Sequence, residues 1–151
     1  MGIDLGFYHC TRDPVGQVAV RLSAKALAAG QRLLIVGEPA RLEYLDRALW
    51  ETEPDSFLAH GLAGTDDDRH QPILLSNTPE PANGARFLML LEYGLPASFD
   101  RFERVFHLFE EGSAAQARAR LDWKALAQRD GVERSYWQQT GRGGWTRKTV
   151  G

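Results

Sequence analysis

An α/β fold of three layers, a largely parallel central sheet with helices on both faces, is what this sequence predicts, and three observations predict it. Short apolar runs of strand length alternate with stretches of helical spacing from the first residues onward. The runs are apolar at successive positions rather than at alternate ones, which marks strands buried on both faces. Turn residues separate each run from the next helix, and strand, helix, strand, helix within the first fifty residues implies right-handed crossovers and parallel pairing.

Each element has its own reason. Ile3 to Cys10 is apolar and aromatic and ends at Thr11, Arg12, Asp13 and Pro14, a strand followed by a helix start with Pro near the first turn. Val15, Val18, Leu22, Ala26 and Ala29 recur at helical spacing, and Gly30 supplies the stop. Arg32 to Val36 is a second strand; Gly37, Glu38 and Pro39 turn the chain into a helix carrying Leu42, Leu45 and Leu49. Residues 51–71 read as a long loop, Pro72 to Ser76 as a buried strand, and Arg86 to Glu92 as the strongest strand signal in the chain. Ser98 is placed to cap a helix with Phe99, Phe102 and Phe106 on one face, while Val105 to Phe109 equally suits a strand. Ala114 to Arg129 has helical propensity and Gly131 ends it; the last twenty residues, with Tyr136, Trp137 and Trp145 among glycines and arginines, read as irregular.

At 151 residues, 43% hydrophobic and 25% charged, the chain suits one domain spanning 1–151, able to bury roughly 68–70% of its unfolded surface. Cys10 is the only cysteine, which excludes an internal disulfide and a cysteine-based zinc site. The start MGIDLGFYHC lacks the basic head and apolar run of a secretory signal, and no run of ~18 apolar residues occurs, so we expect a soluble cytoplasmic protein with no membrane partner. The net charge of −2 hides an asymmetry: from Ala114 onward there are eight Lys/Arg and three Asp/Glu, net +5, leaving −7 on the rest. A basic segment of this kind attracts nucleic acid or receives an acidic peptide.

Enzyme motifs are sparse. The first strand-to-helix turn, CTRDPVG, holds one glycine and a proline, and neither a dinucleotide fingerprint nor a Walker loop appears, so the arrangement is Rossmann-like without a nucleotide site. His60, Asp66, Asp68 and His70 form the one cluster with metal-ligand chemistry, and a metal-dependent hydrolase on this loop is the alternative they raise; the competing reading is a solvated acidic loop, since the spacing matches no defined site. His9 and Cys10, adjacent on a strand, point to opposite faces and cannot act as base and nucleophile. No G-x-S-x-G elbow is present. We expect no cofactor, no resident metal and no catalytic residue.

Two stretches carry binding chemistry instead. Arg120, Trp123 and Lys124 fall at i, i+3 and i+4 on the 114–129 helix: a planar fork for a carboxylate, an aromatic wall and a point charge. The competing reading packs Trp123 into the body and leaves the cations wetted. Trp50 and Phe57 lie among Glu51, Glu53, Pro54 and Asp55, where large aromatics either cap the core or anchor a partner. The basic tail with Tyr136, Trp137 and Trp145 also imitates a stacking platform for single-stranded DNA, a direct binder being the third reading.

In order and spacing, GFYHC, QRLLIVGEP, DRALW, DSF, H-x-L-A-G, R-x-x-W-K, YWQQ and a late Trp resemble the chi subunit of bacterial DNA polymerase III holoenzyme, a clamp-loader accessory protein. The resemblance spans nearly the whole chain. It implies a noncatalytic adaptor of DNA replication that meets DNA only indirectly. The acidic C-terminal tail of single-stranded DNA-binding protein would be held by Arg120, Trp123 and Lys124, with Trp123 standing where better-known relatives have Tyr. The psi subunit would bind at Trp50 and Phe57 in a one-to-one heterodimer.

Overall fold

The computed structural model describes residues 2–51 and 59–148. Among them, β1 (Ile3–Cys10), β2 (Leu33–Val36), β3 (His60–Leu62), β4 (Ile73–Ser76), β5 (Phe87–Leu91), β6 (Arg104–Glu110), β7 (Val132–Gln139) and β8 (Trp145–Lys148) form one sheet in the order β3-β4-β2-β5-β6-β1-β7-β8. Every pairing is parallel except β7 with β8. α1 (Val15–Ala28) lies over β2, β5 and β6, and α2 (Pro39–Glu51) over β3 and β4. α3 (Ala114–Leu126) lies over β6 and β7. The three-layer arrangement expected from the apolar runs is the one found.

The two faces of the sheet follow from strand parity. Leu33, Ile35, Ile73, Leu75, Met89, Leu91 and Leu108 face α1 and α2, joined by Val15, Val18, Ala19, Leu42, Leu45 and Leu49 from those helices. Leu5, Phe7, Leu34, Val36, Leu88, Leu90, Val105 and Phe109 face the other way, toward Ala119, Trp123 and Leu126 of α3. Burial on both sides is why β2, β4 and β5 read as unbroken apolar runs. α1 stops where Gly30 adopts φ +77°, a conformation that costs a residue with a Cβ about 1–2 kcal/mol.

Two expectations require correction, and one pair of alternatives is decided. The 51–71 segment is not loop throughout: His60–Leu62 pairs in parallel with β4 as the sheet's edge. Of the helix and strand readings at 99–109, the strand prevails. Phe99 and Phe102 sit in a turn and are buried under α3's side of the sheet, while Phe106 on β6 faces the opposite side. The last twenty residues are not irregular. Val132–Gln139 pairs in parallel with β1, and Thr140 to Gly144 turns the chain back into Trp145–Lys148.

Candidate protein-docking site

α3 begins where the Ser113 hydroxyl accepts from the Gln116 amide at 3.2 Å, the N-cap geometry that favours Ser before a helix. Its sheet-facing stripe is Ala119, Trp123 and Leu126. Its outer side presents Arg120 and Lys124, one turn apart and exposed, beside Leu121, which is 69% exposed. An apolar side chain that open, between two cations, is unusual for a surface that contacts only water.

Trp123 is not an open wall. The indole is 7% exposed, set edge-on to Phe7 at 5.3 Å and to Tyr136 at 5.8 Å. Arg134, on β7, lies over the ring at 4.0 Å and also donates to the Trp123 carbonyl. Among the described residues the indole Nε1 has no acceptor. The site residues expected from spacing are therefore divided: Arg120 and Lys124 point outward, and Trp123 fastens the helix to the sheet beneath a third cation that helical spacing had no means of finding.

Beside Arg120, at the carboxyl end of β1, stands a polar cluster. His9 is 6% exposed, with Nδ1 3.2 Å from the Tyr136 hydroxyl, Nε2 3.3 Å from the Gln116 amide nitrogen and 3.8 Å from the Glu111 carboxylate. Acceptance from Gln116 at Nε2 leaves the proton on Nδ1, facing the Tyr136 oxygen. Burial lowers the His9 pKa; Glu111 acts against it and the Arg120 charge adds to it. Burial raises Tyr136, which Arg120 opposes. Arg120 is thus electrostatically part of this cluster. The signal for His9 and Tyr136 was strand parity, which becomes usable only once β7 is recognised as β1's neighbour.

The second expected surface lies at the far end of α2. Trp50 is 49% exposed and its ring lies 4.5 Å from that of His60; Phe57 falls outside the described residues. A groove of about 560 Å³ between α1 and α2, lined by Val20, Ala24, Tyr44 and Ala48, reaches Glu51 beside Trp50. His60, whose side chain is fully buried, sets Nε2 2.9 Å from the Asp46 carboxylate.

That placement overturns the metal reading. Asp68 is turned back on its own loop, accepting from the amides of Gly64 and Thr65 at 2.9 and 3.0 Å, which lowers its pKa. His70 accepts from Arg69 at 3.3 Å. With His60 committed to Asp46, these side chains do not converge, and no group of three potential ligands forms among the described residues.

With this geometry in view, the relatives are informative. A profile of the family described as DNA polymerase III chi subunit, HolC, matches residues 4–133. The chain belongs to the DNA polymerase III chi family. The DNA polymerase III subunit chi of Pseudomonas aeruginosa is 31% identical over 105 residues, covering 69% of this chain and 72% of that protein. The subunit chi of Haemophilus influenzae is 27% identical over 120 residues, covering 78% and 83%. The family match takes in α2 and α3 and ends at Glu133, two residues into β7.

In this chi-family fold the crevice where open α/β sheets bind nucleotides carries a carboxylate at the helix N-terminus. β1 leads to α1 on one face and β6 to α3 on the other, so the chain diverges at the carboxyl ends of these neighbours. There the Glu110 carboxylate accepts the Val15 amide at 2.9 Å, taking the place at α1's N-terminus that a phosphate would take. Glu92 accepts from the Glu110 amide at 3.2 Å and pairs with Arg41. Burial, then the charges of Glu110, Glu92 and Asp13, push the Cys10 thiol up to about 12. An anion is repelled here and a thiolate is suppressed.

Proposed function

We propose that this chain is a noncatalytic, cytoplasmic adaptor of DNA replication that works through two docking surfaces. One, on α3, holds the acidic C-terminal tail of single-stranded DNA-binding protein. The other, at the end of α2, holds the psi subunit in a one-to-one heterodimer, through which the chain joins the clamp loader of DNA polymerase III.

The observation that carries this reading is the outer side of α3. Arg120 and Lys124 form no ion pair among the described residues, and the apolar Leu121 lies open between them. A tail rich in carboxylates and ending in an aromatic ring matches that arrangement. The guanidinium takes a carboxylate through two parallel N–H bonds, Lys124 supplies long-range attraction, and Leu121 offers the ring apolar contact. Trp123 positions the helix; its covered face reaches a tail ring only when Arg134 moves aside. A peptide contact of this kind is worth on the order of −8 kcal/mol, a micromolar affinity. Two such contacts on one small domain gain strength by tethering.

Calorimetric titration with an acidic peptide ending in Phe tests the first surface. Arg120→Ala weakens binding roughly tenfold or more, because an anion loses its bidentate donor. Unchanged affinity sinks the assignment. For the second surface, the α1–α2 groove ending beside Trp50 flanks its apolar floor with Arg21, Arg47 and Glu51, a mixed lining that suits an amphipathic partner helix. Trp50→Ala and Phe57→Ala weaken psi binding and spare the peptide; equal damage to both partners refutes the two-surface scheme.

A further inference from the structure

On the face that carries α1 and α2, the sheet extends past both helices to β1, β7 and β8, and a cavity of about 380 Å³ opens there. Strand register lays out its floor. Asp4 lies between Arg104 and Glu133, Gly6 between Phe106 and Ser135, and Tyr8 beside Trp137, which in turn faces Arg147 on β8. Tyr8 reclines along its own strand over Gly6, where a Cβ would meet the ring at 2.7 Å. Its hydroxyl receives a long bond of 3.5 Å from Arg104.

Three arginines line this cavity; Arg134 lies over Trp123 of α3, and the other two lie near rings on the open face. The Arg104 guanidinium is 4.7 Å from the Phe106 centroid, and that of Arg147 is 6.0 Å from Trp137. Among the described residues neither has a carboxylate oxygen within 4 Å. Arg142 and Lys148, on the same ribbon, are exposed and likewise without an ion pair among the described residues. Guanidinium groups set beside rings and not engaged in an ion pair are available to an anion, and a partly open indole beside them is available to a flat ring. Alternating cations and aromatics on an open sheet face is the chemistry that single strands use, phosphates on the cations and bases on the rings.

We infer that the open sheet face over β1, β7 and β8 seats a short stretch of single-stranded nucleic acid, with phosphates on Arg104 and Arg147 and a base against Trp137. Asp4 and Glu133 close one end of the site, so the strand runs from Arg104 toward the β7–β8 turn. This surface is separate from the outer side of α3 and does not depend on the tail-peptide reading.

Fluorescence anisotropy of a labelled oligothymidylate of about 12 nucleotides, with the full chain and no other protein, tests it. Binding is expected at low salt. Arg104→Gln with Arg147→Gln lowers affinity roughly tenfold and reduces the salt slope by about 1.4, the share of two phosphates on a single strand. Glu133→Gln tightens binding about two- to threefold, a gain that misfolding cannot imitate. Excess acidic tail peptide leaves the oligonucleotide in place. No binding at low salt, an unchanged slope in the double variant, no gain with Glu133→Gln, or displacement by the peptide each overturns the assignment; displacement would give this face to an acidic protein segment.

Discussion

The half of the sheet built from β3, β4, β2, β5 and β6 and the half built from β1, β7 and β8 meet different surroundings on the same face. The first is roofed by α1 and α2, and its inward side chains are mostly aliphatic and buried, with Phe87 and Phe106 at its border. The second buries Tyr8 at the end of that core, sets Trp137 and Trp145 partly open beside it, and carries Arg147 on β8, across from Arg104 at the start of β6. On the opposite face, by contrast, α3 reaches across to β7. A ribbon roofed on one face and open on the other divides its side chains by parity. Tyr136 and Arg134 serve the interior and the helix, whereas Trp137 and Arg147 keep part of their surface for something else.

Truncating one indole on each side of the sheet tests this division with the largest expected effect. Trp123→Ala removes a ring packed on Phe7 and Tyr136 and is expected to cost about 3–5 kcal/mol. Trp137→Ala, on the open side, is expected to cost less than half of that. Urea midpoints measure both, and equal losses would show that the second ring is ordinary core. Next in size is Glu110→Ala, which takes the acceptor from the first amide of α1, a helix with no side-chain cap of its own. The expected loss is about 0.5–2 kcal/mol. Glu110→Gln, which keeps an acceptor oxygen but not the charge, recovers part of it and divides hydrogen bond from dipole.

The same parity explains how much was legible in advance. β2, β4 and β5 announce themselves because nearly every residue is buried, and α1, α2 and α3 follow from helical spacing with Gly near their ends. β7 did not, since VERSYWQQ mixes charge, hydroxyl and indole and resembles a loop until it is read as two interleaved faces, one under α3 and one open. β3, three residues beside undescribed chain, carried too little periodicity to show. At the candidate site, Arg120 and Lys124 were readable as a helical pair. Which way Trp123 points was not, because i and i+3 fit either an outward patch or an inward stripe. The deciding neighbours, Phe7, Arg134 and Tyr136, come from strands more than ten or a hundred residues away along the chain. The four-residue metal reading failed for a related reason: His60, Asp68 and His70 each had a local or cross-layer partner that spacing alone could not reveal.

The smallest expected effect probes the seam between α3's outer side and the interior. His9 faces Tyr136 on β7, Phe109 on β6, Gln116 and Arg120 on α3, and Glu111 in the turn before it. Burial holds its pKa below the usual 6.5, with Arg120 contributing in the same direction and Glu111 against. In the window between the depressed value and 6.5 the unfolded chain binds more protons than the folded one, so stability rises with pH through that window. Acidification below about 6.5 therefore costs stability, and the loss levels off once the folded imidazole also protonates. Arg120→Ala removes one depressing charge, so the His9 midpoint moves up and the pH dependence shrinks. Glu111→Gln moves it down and widens the window. An acidic peptide seated on Arg120 imitates the first change, raising the midpoint in proportion to occupancy. Proton NMR of the His9 ring across the titration reads all three. A midpoint indifferent to Arg120→Ala would separate the helix's outer cations from the cluster beneath them and leave Arg120 a purely external contact.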